Sequence, residues 1–106
     1  MDRPLFIPLR REWFEAFARG SKTREWRRYG GVWTERHCWP GRPVTLSLGY
    51  SGARLRGHIV DFSKRRAAGS AAAVYGRRAI CAVLTIAIAD QPTSSAAASG
   101  SIAGPQ

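Results

Sequence analysis

Apolar and polar positions recur with two different periods along this chain, and the changes of period mark its elements. Leu5-Phe6-Ile7-Pro8-Leu9 reads as a short strand running into a turn. From Arg10 to Arg19 the spacing becomes three and four residues, with Trp13 against Phe17 and Phe14 against Phe17 and Ala18, which predicts a helix. Leu9 is placed to staple its start and Gly20 to stop it in a left-handed turn. Lys22 to Tyr29 then reads as a charged strand ended by Gly30-Gly31, and Val32 to Trp39 as a helical turn or loop closed by Pro40-Gly41.

Pro43 to Tyr50 carries the clearest strand signal. Val44, Leu46, Leu48 and Tyr50 fall on one face, Thr45, Ser47 and Gly49 on the other. After a turn at Ser51-Gly52 the chain returns over Arg54–Phe62. There the parity changes midway: Leu55 and Ile59 oppose Arg56 and His58, then Val60 and Phe62 appear on the arginine side, which predicts a bulge or a switch between sheets. Asp61 reads as the close of that strand, where a local cap or an acid/base group would sit.

Ser63 to Arg78 is a basic Ala/Gly-rich connection with no readable period, and Ala79 to Ala89 is a strand apolar on both faces, which requires cover on both. Residues 91–106 are Ser, Ala, Gly, Pro, Gln and Thr around a single large apolar residue, Ile102; they predict a disordered tail after a domain over 1–90. Strand, helix, strand, then three more strands gives an α+β, mainly β class: a small mixed β-barrel with one packed N-terminal helix.

Charge adds a partner class to this picture. Seventeen Lys and Arg against seven Asp and Glu leave a formal charge of +10 on 106 residues, which excludes an acidic binding module. The excess favours a polyanion, nucleic acid before an acidic membrane surface. Fifteen of the cations are Arg, which forks onto phosphate and stacks on bases, although GC-rich coding drift enriches Arg and Ala in the same way. Cys38 and Cys81 make no disulfide framework and no CxxC pair, and Asp2, Arg3, Pro4 and Pro8 interrupt any secretory leader. The longest uncharged apolar run, Ala79 to Ala89, is far short of the ~20 residues of a spanning helix. A cytoplasmic protein with no membrane partner is expected. His37, Cys38, His58 and Cys81 lack zinc spacing, and no phosphate loop or hydrolase elbow occurs, so neither metal nor cofactor is expected.

The candidate chemistry lies in Gly20-Ser21-Lys22-Thr23-Arg24-Glu25-Trp26-Arg27-Arg28-Tyr29. Alternation puts Glu25 and Arg27 on one face and Arg24, Trp26 and Arg28 on the other. Lys22 has the wrong parity to join Glu25 and Arg27 unless it lies in the turn before the strand. If the three converge, Glu25 neutralises one cation and orients the others toward an anion, and a crowded lysine becomes a better base or nucleophile. The same alternation also suits a solvated edge strand whose charges prevent aggregation. Trp26, Trp33, Trp39, Tyr29 and Tyr50 are interleaved with Arg24, Arg27, Arg28, Arg36, Arg42 and Arg54, a composition suited to stacking unpaired bases and holding phosphates. Two of the four Trp are expected to be buried.

The pattern G-x-K-x-x-E-x-R, present as Gly20, Lys22, Glu25 and Arg27 after a strand–helix unit, resembles the signature of the ASCH family. Pro8-Leu9 with Arg11-Glu12-Trp13-Phe14, Arg27-Arg28-Tyr29 before Trp33, and Leu48-Gly49-Tyr50 are similar to a subgroup found in phage and bacterial genomes. The resemblance implies a PUA-like β-barrel related to RNA-binding domains, with a basic cleft for single-stranded RNA or a modified nucleoside. Taken with the interleaved arginines and aromatics, it makes Lys22, Arg24, Arg27, Arg28, Ser47, Tyr50 and Arg54 the expected nucleic-acid contacts, with Tyr50 and Ser47 near the cleft floor. Arg27 would hold phosphate, Lys22 would hold phosphate or move a proton, and Glu25 would orient both. Some relatives are ribonucleases and others N-acylcytidine amidohydrolases, which makes Lys22 and Glu25 the catalytic candidates of a hydrolase alternative. In the amidohydrolase branch Glu25 occupies the place of a Thr. A non-catalytic accessory protein of a mobile element is the remaining alternative.

Overall fold

A computed structural model of the chain describes residues 3–89. The predicted tail over 91–106 lies outside the described residues. Elements follow in the order β1 (Leu5–Leu9), α1 (Arg11–Ala18), β2 (Arg24–Arg28), β3 (Pro43–Leu48), β4 (Arg54–Arg66), α2 (Gly69–Tyr75) and β5 (Ile80–Ile88). The fold is mainly β: one curled sheet of five strands in the order β1-β3-β4-β5-β2, with α1 connecting β1 to β2 and α2 connecting β4 to β5. β1 runs parallel to β3, and every other pairing is antiparallel.

Local sequence accounts for most of this. β1 carries Pro8, which lacks a donor for a ladder on both sides, and β1 is an edge strand. α1 ends in a Schellman turn: Gly20 has φ +84, its N–H bonds Phe17 O at 3.2 Å, and the Ser21 N–H bonds Ala16 O at 3.0 Å. β4 is the bent strand that curls the sheet. Its first half pairs with β3 and its second with β5, and the expected parity change is a bulge between Ile59 and Asp61 that turns Val60 outward. Gly57 sits where β4 crosses β5 so closely that a Cβ would strike the Ala87 carbonyl.

The main core lies inside the curl, where Leu5, Ile7 and Leu9 of β1 meet Val44 and Leu46 of β3, Leu55 and Ile59 of β4, and Leu84 and Ile86 of β5. Phe14 and Phe17 of α1 close it. A second, smaller core lies outside the sheet, where Ala67 and Ala71 pack on Cys81 with Trp26 and Tyr75 alongside. β5 is buried on both faces from Cys81 to Leu84, as its two-sided apolar sequence requires.

Four expectations need correction. The fold has a second helix, α2, inside the segment that showed no period; its Ala-rich face is too short and too small to register as amphipathic. β4 continues through Asp61 to Arg66 instead of closing there, because ladder pairing with β5 carries even charged residues. β3 stops at Leu48, so Tyr50 stands in the following turn and is 79% exposed, not on the core face. No Trp is fully buried: Trp33 and Trp26 are half-buried against the two cores, and Trp13 and Trp39 are exposed, because aliphatic residues already fill the curl.

Candidate functional site

β2 is the other edge of the sheet, and a cleft of about 330 Å³ runs along its free side, between the end of β1, α1 and α2. The Tyr29 N–H bonds Ile80 O and the Ile86 N–H bonds Thr23 O, so odd-numbered residues here turn their backbone toward β5. Arg24, Trp26 and Arg28 therefore turn their backbone groups to the unpaired edge.

The motif residues converge at this cleft. Lys22 precedes the strand, in the turn that its inclusion required, and its N–H is tied to Ala16 O at 3.2 Å. Its ammonium lies 5.0 Å from the Trp13 ring centre and 5.5 Å from that of Phe17, and 3.9 Å from Glu25 Oε1. Glu25 is buried, and its Oε2 accepts a 2.6 Å bond from Arg27 Nε. Arg27 Nη2 donates 2.7 Å to Pro8 O, and the guanidinium lies 4.8 Å from the Trp33 ring centre. That Pro8 bond spans the two edge strands, so one side chain links β2 to β1 where no ladder does.

The three charges are unequal in what they have left to offer. Glu25 is shared by two cations, leaving the trio with one net positive charge. Arg27 already spends Nε on Glu25, Nη2 on Pro8 O and one face on Trp33. Lys22 has three donors, one long carboxylate contact and two aromatic neighbours, and it lines the cleft, so it retains capacity for an anion. Trp13, Trp26 and Tyr75 supply flat apolar walls beside it.

The remaining expected contacts divide. Arg28 donates 3.1 Å to Tyr75 O and lies 5.8 Å from that ring centre, bracing α2 against β2. Arg24 is exposed on the same face. Ser47, Tyr50 and Arg54 do not line the cleft. They form a separate group with Phe6: Arg54 Nη1 donates to the buried Ser47 Oγ and sits 5.1 Å from the Phe6 ring centre, which is 6.3 Å from that of Tyr50. Ser47 has the parity opposite to Val44 and Leu46, so it is buried beneath Arg54 rather than in the curl. Sequence reasoning missed Tyr75 and the α2 wall. The one signal available was that Tyr75 is the only aromatic residue between Ser63 and Arg78.

Beyond the cleft, the Tyr29 hydroxyl donates to Glu35, which lowers the Glu35 carboxyl below its ordinary value and raises the Tyr29 phenol above its own. Lys64 caps the Tyr29 ring at 4.3 Å. Burial raises both thiols, Cys38 and Cys81, so they stay protonated at neutral pH. Among the described residues, no cluster of three or more His, Cys, Asp or Glu could hold a metal, and no helix is long and apolar enough to cross a membrane.

In comparisons with known proteins, no family model, no curated protein and no solved structure matches this chain.

Proposed function

We propose that this chain is a PUA-like, ASCH-type domain that binds RNA, or a nucleotide fragment of it, in the cleft along β2. The observation that carries the reading is the meeting of Lys22, Glu25 and Arg27 beside the Trp13, Trp26 and Tyr75 rings. A site with net positive charge and flat apolar walls suits a ligand that joins a phosphate to a planar base. The volume of 330 Å³ lies near the lower end of the roughly 300–1,000 Å³ of small-molecule sites, enough for one nucleotide. Lys22 takes the phosphate. Arg27 positions Glu25 and ties β2 to β1, and Glu25 holds both cations in place.

The test is equilibrium binding of labelled single-stranded RNA and of cytidine monophosphate, with Lys22→Ala beside the unmodified protein. Binding that weakens as salt rises and falls about tenfold in Lys22→Ala supports the reading. Retention of neither ligand at low salt overturns it. Product analysis of the same mixtures, with N-acetylcytidine added, addresses the hydrolase alternative: turnover lost in Lys22→Ala or Glu25→Ala, with the fold intact, would replace binding by catalysis.

A further inference from the structure

α2 stands between two hollows, of which the cleft along β2 is only one. On its other flank lies a shallow hollow of about 510 Å³, lined by Arg66, Ala67, Gly69, Ala72, Arg77 and Arg78. These guanidiniums make no hydrogen bond or ion pair with any described residue, unlike Arg27, Arg28, Arg42 and Arg54. Nor does the local sequence offer them a partner: from Phe62 to Ala89 there are five cations and no carboxylate. Three like charges around one hollow repel each other, and that repulsion is relieved when an anion is shared among them. The floor is Ala and Gly, which leaves room for a sugar–phosphate backbone to approach closely.

Helix α2 joins this hollow to the Lys22 cleft. Ser70, Ala71, Val74 and Tyr75 face the cleft, while Gly69 and Ala72 face the arginines. A helix with its side chains is about 10–12 Å across, and less where they are alanines, a span that a few nucleotides of single strand can cross.

We propose that α2 is a saddle for single-stranded RNA, with one nucleotide seated in the Lys22 cleft and neighbouring phosphates held by Arg66, Arg77 and Arg78. The proposal rests on the binding function above and narrows its ligand to an oligonucleotide rather than a free nucleotide. The arginines are exposed, so replacing them leaves the cores untouched.

The experiment measures affinity for cytidine monophosphate and for a hexameric oligocytidylate against salt concentration. It compares the unmodified chain with Arg66→Ser/Arg77→Ser/Arg78→Ser and with an equal-charge control, Arg3→Ser/Arg11→Ser/Arg19→Ser. The expected result is a hexamer bound at least tenfold more tightly than the monophosphate by the unmodified chain and the control. The saddle variant loses that gain, and its log–log salt slope is shallower by about 2, the value for three phosphate contacts on a single strand. It binds the monophosphate as the unmodified chain does. Equal hexamer affinity and slope in all three proteins overturns the saddle while leaving the cleft standing, as does a hexamer bound no better than the monophosphate. Failure of all three to bind either ligand overturns the cleft reading and the saddle with it.

Discussion

The two cores of this protein differ in kind. Inside the curl, long aliphatic side chains and two phenylalanines from four strands and α1 seal one another from water. Under α2, Ala67, Ala71 and Cys81 make contact through methyl groups and a thiol, with Trp26 and Tyr75 only partly covered. Hydrophobic stabilisation scales with apolar area removed from water, at about 25 cal/mol per Å². The first core therefore holds the sheet, while the second holds α2 only lightly. The candidate cleft lies between them, with one wall of rigid sheet and one of lightly held helix.

The strongest way to break this comparison is to cut into the larger core. Leu84→Ala, in the curl, is expected to cost about 2–5 kcal/mol in denaturant unfolding. A cost near zero there would mean the curl is not the seat of stability. Next comes the charge trio, which joins the edges. Glu25→Gln leaves Lys22 and Arg27 without their carboxylate, each with about a fifth of its side chain exposed. After discounting for that exposure, about 1–3 kcal/mol should be lost, more at low salt than at high. A cost near zero at every salt concentration would show the trio to be a solvated surface group.

A smaller effect sharpens the contrast. Ala71→Leu overpacks the second core, which costs about 1–3 kcal/mol in a rigid interior; because α2 can move aside, a value near the bottom of that range is expected. Hydrogen exchange should then rise in α2 and leave β3, β4 and β5 protected, and faster exchange throughout the sheet would contradict the division.

The smallest effect concerns pH, at the Tyr29–Glu35 bond. A carboxyl whose native value is depressed stabilises the fold above its unfolded value, near 4.5, and loses that contribution as pH falls through the lower native value. Glu35→Gln should therefore lower the melting temperature slightly at neutral pH and not at all in strong acid. The raised Tyr29 phenol works in the opposite range: its contribution is full below pH 10.0 and fades as pH rises through the higher native value. A difference between Glu35→Gln and the unmodified chain that persisted unchanged into acid would assign it to some other contact.

The sequence was most readable where an element announces itself locally. The short β1 strand, the α1 spacing, Gly20 and the β4 parity change all depend on neighbours within a few residues, and each is found in the fold. The position of Lys22 in the turn before β2 was legible as a condition, because strand parity left no other way for it to meet Glu25. Tyr50 was not legible: its parity continued that of Val44, Leu46 and Leu48, and only the early end of β3 takes it out to solvent. α2 was hidden for a related reason, since an alanine face gives no amphipathic contrast until a sheet is there to cover.

By itself, then, the order of residues determined the mainly β class, the five strands, the strong positive charge and the local charge motif. Those follow from period, composition and turn chemistry, which act over short stretches of chain. Only the tertiary structure decided that β1 and β2 become opposite edges joined by Arg27, that α2 walls the cleft, and that Ser47, Tyr50 and Arg54 gather elsewhere. Such outcomes depend on which distant surfaces are buried together, and that is set by the packing of the whole sheet.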